Sequence, residues 1–179
     1  MNTTDAQPSK TQSTIPPDDT LPGRIAKLAG VIGAPHFPNA DRAALKRWAP
    51  GESPPLTFYR VWLRSIDGDL PSPTQTQAWM IITWGLALGV DHQRGRALGR
   101  VLAESRYAEA RLERLLAAPL DILPDLFASL MRFLAAKGEA IDWLDAAPLL
   151  LTQDTDKRES THRRIASDFF CHLPRAEKE

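Results

Sequence analysis

The chain holds one thiol, Cys171, so no internal disulfide can form. Small secreted domains are usually stapled by several such bonds, and this poverty of cysteine points to a reducing, cytoplasmic setting. No apolar run approaches the ~18 residues that suggest a membrane span. The opening Met-Asn-Thr-Thr-Asp starts no secretion signal, so no role in a membrane is expected. Net charge is also lacking, because 22 Lys and Arg are matched by 22 Asp and Glu. A free-standing protein that grips nucleic acid tightly usually carries a basic excess, and this balance argues against one.

Catalytic signatures are missing as well. There is no Gly-rich phosphate loop, nucleophile elbow or HExxH motif. Gly95-Arg96-Ala97-Leu98-Gly99 lacks the Lys-Ser/Thr end that a phosphate loop requires. His36, His92, His162 and His172 are scattered, and Cys171-His172 with His162 matches no usual metal-ligand spacing. Asp142 and Asp145 stand at a helix start, where carboxylates favour the positive end of the dipole; capping explains them better than acid–base work. The expectation is a protein that is not an enzyme, with no cofactor and no metal.

What remains is enough to build a core. The 179 residues are 43% hydrophobic, with five Trp and six Phe as large anchors. That length suits one ordinary domain. Residues 1–20 are Thr, Ser, Gln, Asp and Pro with almost no apolar content, and read as a disordered leader. A single helical domain is expected over 21–172, followed by a polar tail at 173–179. Start and stop signals predict helices over 21–32, 41–48 capped by Asp41, 56–66 opened by Ser53 and Pro54-Pro55 and ended by Asp67-Gly68-Asp69, and 74–88 opened by Ser72-Pro73. The 74–88 helix is apolar almost all round, which marks a central element. Further helices are predicted over 95–104, 107–117, 124–137, 142–151 and 156–170. No strand-like alternation bounded by hairpin signals appears, and no repeat. The fold class is therefore all-α, a bundle of about eight helices that could divide into two small lobes.

The zero net charge conceals segregation. From Arg42 to Arg64 the net is +4, from His92 to Leu116 +3, from Ala117 to Asp156 −5, and from Lys157 to Arg175 +3. Of the 22 basic residues, 16 are Arg, whose fork matches phosphate oxygens. On 95–104, Leu98, Val101 and Leu102 form an apolar stripe, and Arg96 and Arg100 lie opposite it. On 107–117, Arg111 and Arg114 flank the stripe of Leu112, Leu115 and Leu116 on one side, with Glu109 and Glu113 on the other. On 41–48, Arg42 and Lys46 share an outer face. Near the end, Ile165 and Phe169 point inward and Arg163 away. Any one of these arginines needs no function, since Arg is a good helix former. Three separate clusters are harder to dismiss.

The stretch ALGRVLAESRYAEARLERLLAA, followed by LFASLMRFLAAKGEAIDW and RRIASDFF, strongly resembles the CRISPR-associated CasB family, the small subunit of the type I-E Cascade complex. AALKRW and PPLTFYRVW resemble that family's basic helix and the helix after it. The resemblance covers roughly Asp41 to Phe170. It implies an all-helical, non-catalytic subunit that sits as a pair along the Cascade backbone. The implied partners are other Cascade subunits, a second copy of the chain, and the backbones of guide RNA and target DNA, including the displaced strand of the R-loop. Guide pairing reads the sequence in such systems, so this subunit needs only sequence-independent phosphate contacts. Carried over by position, the nucleic-acid-binding residues are Lys46, Arg47, Arg100, Arg111, Arg114 and Arg132. Arg42, Arg96, Arg163 and Arg164 are added from helical geometry. A helical adaptor that binds only proteins stays open as a second reading.

Overall fold

The computed structural model describes residues 20–66 and 69–174. The expected leader lies outside these residues except for Thr20. So do Asp67-Gly68 of the expected helix stop and the expected tail beyond Pro174. The described residues form α1 (Leu21–Gly33), α2 (Asn39–Arg47), α3 (Leu56–Ser65), α4 (Pro73–Leu88), α5 (Leu98–Glu104), α6 (Glu109–Leu116), α7 (Leu123–Lys137), the single turns α8 (Trp143–Ala146) and α9 (Pro148–Leu151), and α10 (Thr155–His172). Extended pairing among them is limited to an isolated bridge between His92 and Ile141. The fold is all-α, as the sequence implied.

Helix α4 is the hub. Residues Ala78 to Ala87 are buried without a break, so α4 has no face for water, and it packs against α1, α2 and α7. Its tryptophans reach both ways along the core. Trp79 meets Trp62 edge-on at 5.0 Å between ring centres, and Trp84 meets Trp48 at 6.2 Å. The ring of Trp143 lies on Gly85, where a Cβ would come within 2.7 Å of its Cη2. Its indole N–H donates to the Val90 carbonyl at 2.8 Å. One continuous apolar cluster runs from Ile25 to Phe169.

Helices α4, α5 and α7 end alike. After α4, Gly89 takes a left-handed φ of 97°, and the N–H groups of Gly89 and Val90 return to the carbonyls of Leu86 and Gly85. Gly138 closes α7 the same way. These are Schellman stops, which glycine favours because it carries no Cβ. After α5 the left-handed position is held by Arg106, at φ 58°, and Tyr107 N–H returns to the Leu102 carbonyl.

Several boundaries differ from the sequence expectation for identifiable reasons. Helix α2 starts at Asn39, so Asp41 sits in its first turn and pairs with Arg60 of α3 instead of capping. At α4 the Ser72 hydroxyl bonds the Thr74 hydroxyl at 3.0 Å and makes no cap bond to the backbone. Residues 95–97 are not helical. Gly95 has φ 79°, its N–H donates to Asp142 Oδ2 at 2.8 Å, and the Arg96 carbonyl accepts from Asp142 N–H at 2.7 Å. These long-range bonds replace the first turn that local periodicity predicted. The segment 142–151 divides at Ala147, itself in helical conformation, into α8 and α9, where Pro148 supplies no N–H to a continuing helix.

Helix α10 lies along α5 in close backbone approach at Gly99. A Cβ at Gly99 would run into the Ile165 carbonyl oxygen and lie 2.9 Å from both Asp168 Cβ and Phe169 N. Gly99→Ala should therefore lower stability by about 1–3 kcal/mol or more, because two backbones rather than a side-chain tip must move apart. Gly30, in α1 and with nothing within 4 Å of its missing Cβ, is the control: Gly30→Ala should raise stability by roughly 0.5–1 kcal/mol. Thermal unfolding of both variants checks the pair, and equal melting temperatures would contradict the close approach.

Candidate nucleic-acid interface

The ten basic residues singled out from the sequence fall into two groups. The first is held within the protein. Arg96 pairs with Glu139 at 2.5 Å and Glu104 at 3.6 Å, and it lies before α5, not on it. Arg100 pairs with Glu104 at 2.7 Å one turn along α5. The hydrogen bond from Arg100 holds the Glu104 carboxyl below its ordinary range, ahead of the opposing effect of burial. Arg163 pairs with Glu159 at 2.6 Å. Arg164 pairs with Asp145 at 2.5 Å and donates to its carbonyl at 3.2 Å. Arg42 turns back over the Phe37 ring at 5.2 Å and reaches the Ala34 carbonyl.

The second group has no carboxylate partner among the described residues: Lys46, Arg47, Arg111, Arg114 and Arg132. Lys46 and Arg47 occupy the last turn of α2, where cations are favoured by the helix dipole. Both are exposed. Trp84 ties them to α7. Its indole N–H donates to the Lys46 carbonyl at 3.3 Å, and the Arg132 guanidinium stands over its ring at 5.2 Å. One buried aromatic thus links the two helices that carry these cations, α2 and α7. The ring holds Arg132 by a cation–π contact, which leaves the guanidinium N–H donors free for an oxygen ligand.

Arg111 and Arg114 line a second feature, a cleft of about 230 Å³ shared with Tyr107, Leu115, Leu126 and Ser129. Burial raises the Tyr107 hydroxyl above its ordinary pKa, against the pull of the Arg111 cation. The phenol therefore stays a neutral donor beside two cations. Glu109 and Glu113 leave from the other side of α6 toward α10, so that helix separates its charges as its periodicity predicted.

Arg64, Arg94 and Arg106 are also exposed and without a carboxylate partner among the described residues, and sequence reasoning did not select them. Arg94 and Arg106 sit in turns, where helical geometry assigns no face. Arg64 could have been found from its spacing to Arg60 on α3. Asp142 caps α8 through Leu144 N–H at 3.0 Å, as expected of a helix-start carboxylate, whereas Asp145 instead accepts from Leu98 N–H at the start of α5 at 2.7 Å. No group of three or more His, Cys, Asp or Glu among the described residues could hold a metal ion. No helix among them is long and apolar enough to cross a membrane.

The fold and these surfaces define a class: an all-helical protein that presents unneutralised cations, several of them arginine, from separate helices. The family model for CRISPR-associated protein Cse2 matches residues 41–170. The chain belongs to this Cse2 family, the CasB family that its sequence resembles, and is thereby a CRISPR Cascade subunit. No curated protein and no solved structure matches the chain.

Two histidines give the fold a pH dependence. His92 Nδ1 accepts the Trp143 N–H at 3.2 Å at the start of α8. Burial lowers its pKa below 6.5, outweighing the opposite pull of Asp142, and Arg94 adds to the lowering. Burial likewise lowers His162, helped by Arg158. The unfolded chain therefore takes up these protons first as pH falls. The stability these neutral rings contribute is complete above about pH 6.5 and is lost below it, down through their folded values. Urea midpoints should drop between roughly pH 7.5 and pH 5.5, and less steeply for His92→Asn, whose amide oxygen can still accept from Trp143. A midpoint that rose over this range, or a slope unchanged by His92→Asn, would contradict the assignment.

Proposed function

We propose that the protein is a non-catalytic Cascade subunit of antiviral defence that steadies guide RNA, target strand and displaced strand by sequence-independent contacts to phosphate. One observation carries this reading: Lys46, Arg47 and Arg132 around Trp84, with Arg111 and Arg114 in their own cleft, have no carboxylate partner among the described residues, whereas Arg96, Arg100, Arg163 and Arg164 each do. Desolvated or paired arginines serve the fold. Exposed, unpaired ones cost the fold self-repulsion and are repaid when an anion arrives.

The balanced net charge fits a subunit that other proteins hold in place, because local stripes then suffice and a globally basic surface is unnecessary. Its partners on this reading are the other Cascade subunits, a second copy of the chain, and the RNA and DNA backbones, in the cytoplasm. Arg42, Arg96, Arg100, Arg163 and Arg164 belong to a second rank. A phosphate reaching Arg96, Arg100, Arg163 or Arg164 must first displace a carboxylate, and Arg42 must leave the Phe37 ring.

In a reconstituted complex, charge reversal at Lys46, Arg47 and Arg132 together, or at Arg111 and Arg114 together, should weaken retention of target DNA. The weakening should be similar for unrelated target sequences, and each lost contact should reduce the slope of log affinity against log salt by about 1. Arg163→Glu should do less, since that guanidinium is already paired. Retention unchanged for both sets at every salt concentration would reject the proposal and favour a helical adaptor that touches only protein.

A further inference from the structure

Helices α6 and α10 bound an open groove of about 530 Å³ that none of the basic clusters enters. Its walls come from a stripe on each helix. From α10 come His162, Ala166 and Phe170, spaced four apart so that they align on one face. From α6 and its end come Leu112, Leu116 and Ala117, with Glu109 and Glu113 one turn apart. The floor is apolar, and Phe170 leaves 53% of its surface exposed there, its ring anchored edge-on against buried Phe169 at 5.4 Å. Burial lowers the His162 pKa, and no Lys or Arg among the described residues lines the groove beside the two carboxylates.

Glu109 and Glu113 pair with no cation among the described residues, whereas Glu104, Glu139 and Glu159 do. Like charges four apart on a helix repel each other. An uncompensated acidic pair beside an exposed aromatic is the complement of a basic, apolar segment, and it repels phosphate. The same short helix that offers Arg111 and Arg114 on one side therefore offers the opposite chemistry on the other.

We propose that the α6–α10 groove docks an amphipathic helical segment of another Cascade subunit, with apolar side chains on Leu112, Leu116 and Phe170 and Lys or Arg side chains on Glu109 and Glu113. Charge complementarity selects a protein over nucleic acid. It also disfavours groove-to-groove contact with a second copy of this chain, whose own groove carries the same two carboxylates. The proposal rests on membership of the complex and not on the phosphate contacts proposed above.

The test uses the full chain in the reconstituted complex, with a photoreactive benzoylphenylalanine at Ala117, which is exposed at the groove edge. The expected crosslink is to a segment of another subunit that carries Lys or Arg beside apolar residues at helical spacing. Glu109→Lys with Glu113→Lys should lower incorporation into the complex at least tenfold, the Gln pair less, and charge reversal in the crosslinked segment should restore it. Circular dichroism melts of these exposed-site variants control for folding. Crosslinks to RNA or DNA, to a second copy of this chain or to its own residues would overturn the proposal, as would normal incorporation of the Lys pair. The crosslink separates the two readings: in complexes that incorporate Arg111→Glu with Arg114→Glu, Ala117 should still reach the same segment, whatever happens to DNA retention.

Discussion

Helices α5 and α10 meet backbone to backbone at Gly99, and much of the C-terminal half follows from that contact. There is no room between them for even a methyl group, so the rotation of α10 about its own axis is fixed. Asp145 reinforces the register from the side, accepting from Leu98 N–H and pairing with Arg164 of α10. With Ile165 and Phe169 turned toward α5, the stripe of His162, Ala166 and Phe170 must face α6, and Arg163 must face water. The outer chemistry of α10 is thus decided by one residue that has no side chain.

The fold class was legible because period-3.6 patterning is a local property that tertiary packing here agrees with. The largely apolar α4 and the Gly138 stop of α7 needed nothing beyond their own segments. What the chain alone did not reveal depends on partners far along it. The 95–97 segment has the pattern of a helix start, yet Gly95 and Arg96 are bound to Asp142, whose competing hydrogen bonds only the assembled core supplies. Arg106 in a left-handed stop escaped notice because that position is usually glycine.

The candidate site was legible in part for the same reason. Helical geometry could say that Arg111 and Arg114 share a side, and they do line one cleft. It could not say that Glu139, distant in sequence, would occupy Arg96, or that Asp145 would occupy Arg164. Nor could it bring Arg132 to Lys46, since the link is Trp84, a residue that reads from sequence as core alone. A basic residue's availability is a statement about which carboxylates reach it, and that is a tertiary fact. Family membership sharpens the reading differently, by supplying a complex in which a neutral protein with local stripes makes electrostatic sense.

Trp84 is almost wholly buried, yet its ring lies under the surface guanidinium of Arg132 and its N–H holds the α2 backbone at Lys46. The surface pattern is therefore inherited from the interior. Exchanging Lys46 for Arg would leave the tether in place, because it holds a backbone carbonyl, whereas exchanging Trp84 for Phe would cut the N–H tether to α2 and shrink the platform under Arg132. Drift at buried aromatic positions is then constrained by more than packing, because a conservative change in the core would scatter charges that lie on two helices. In this protein a mutation invisible from outside could blur the outline that its partners meet.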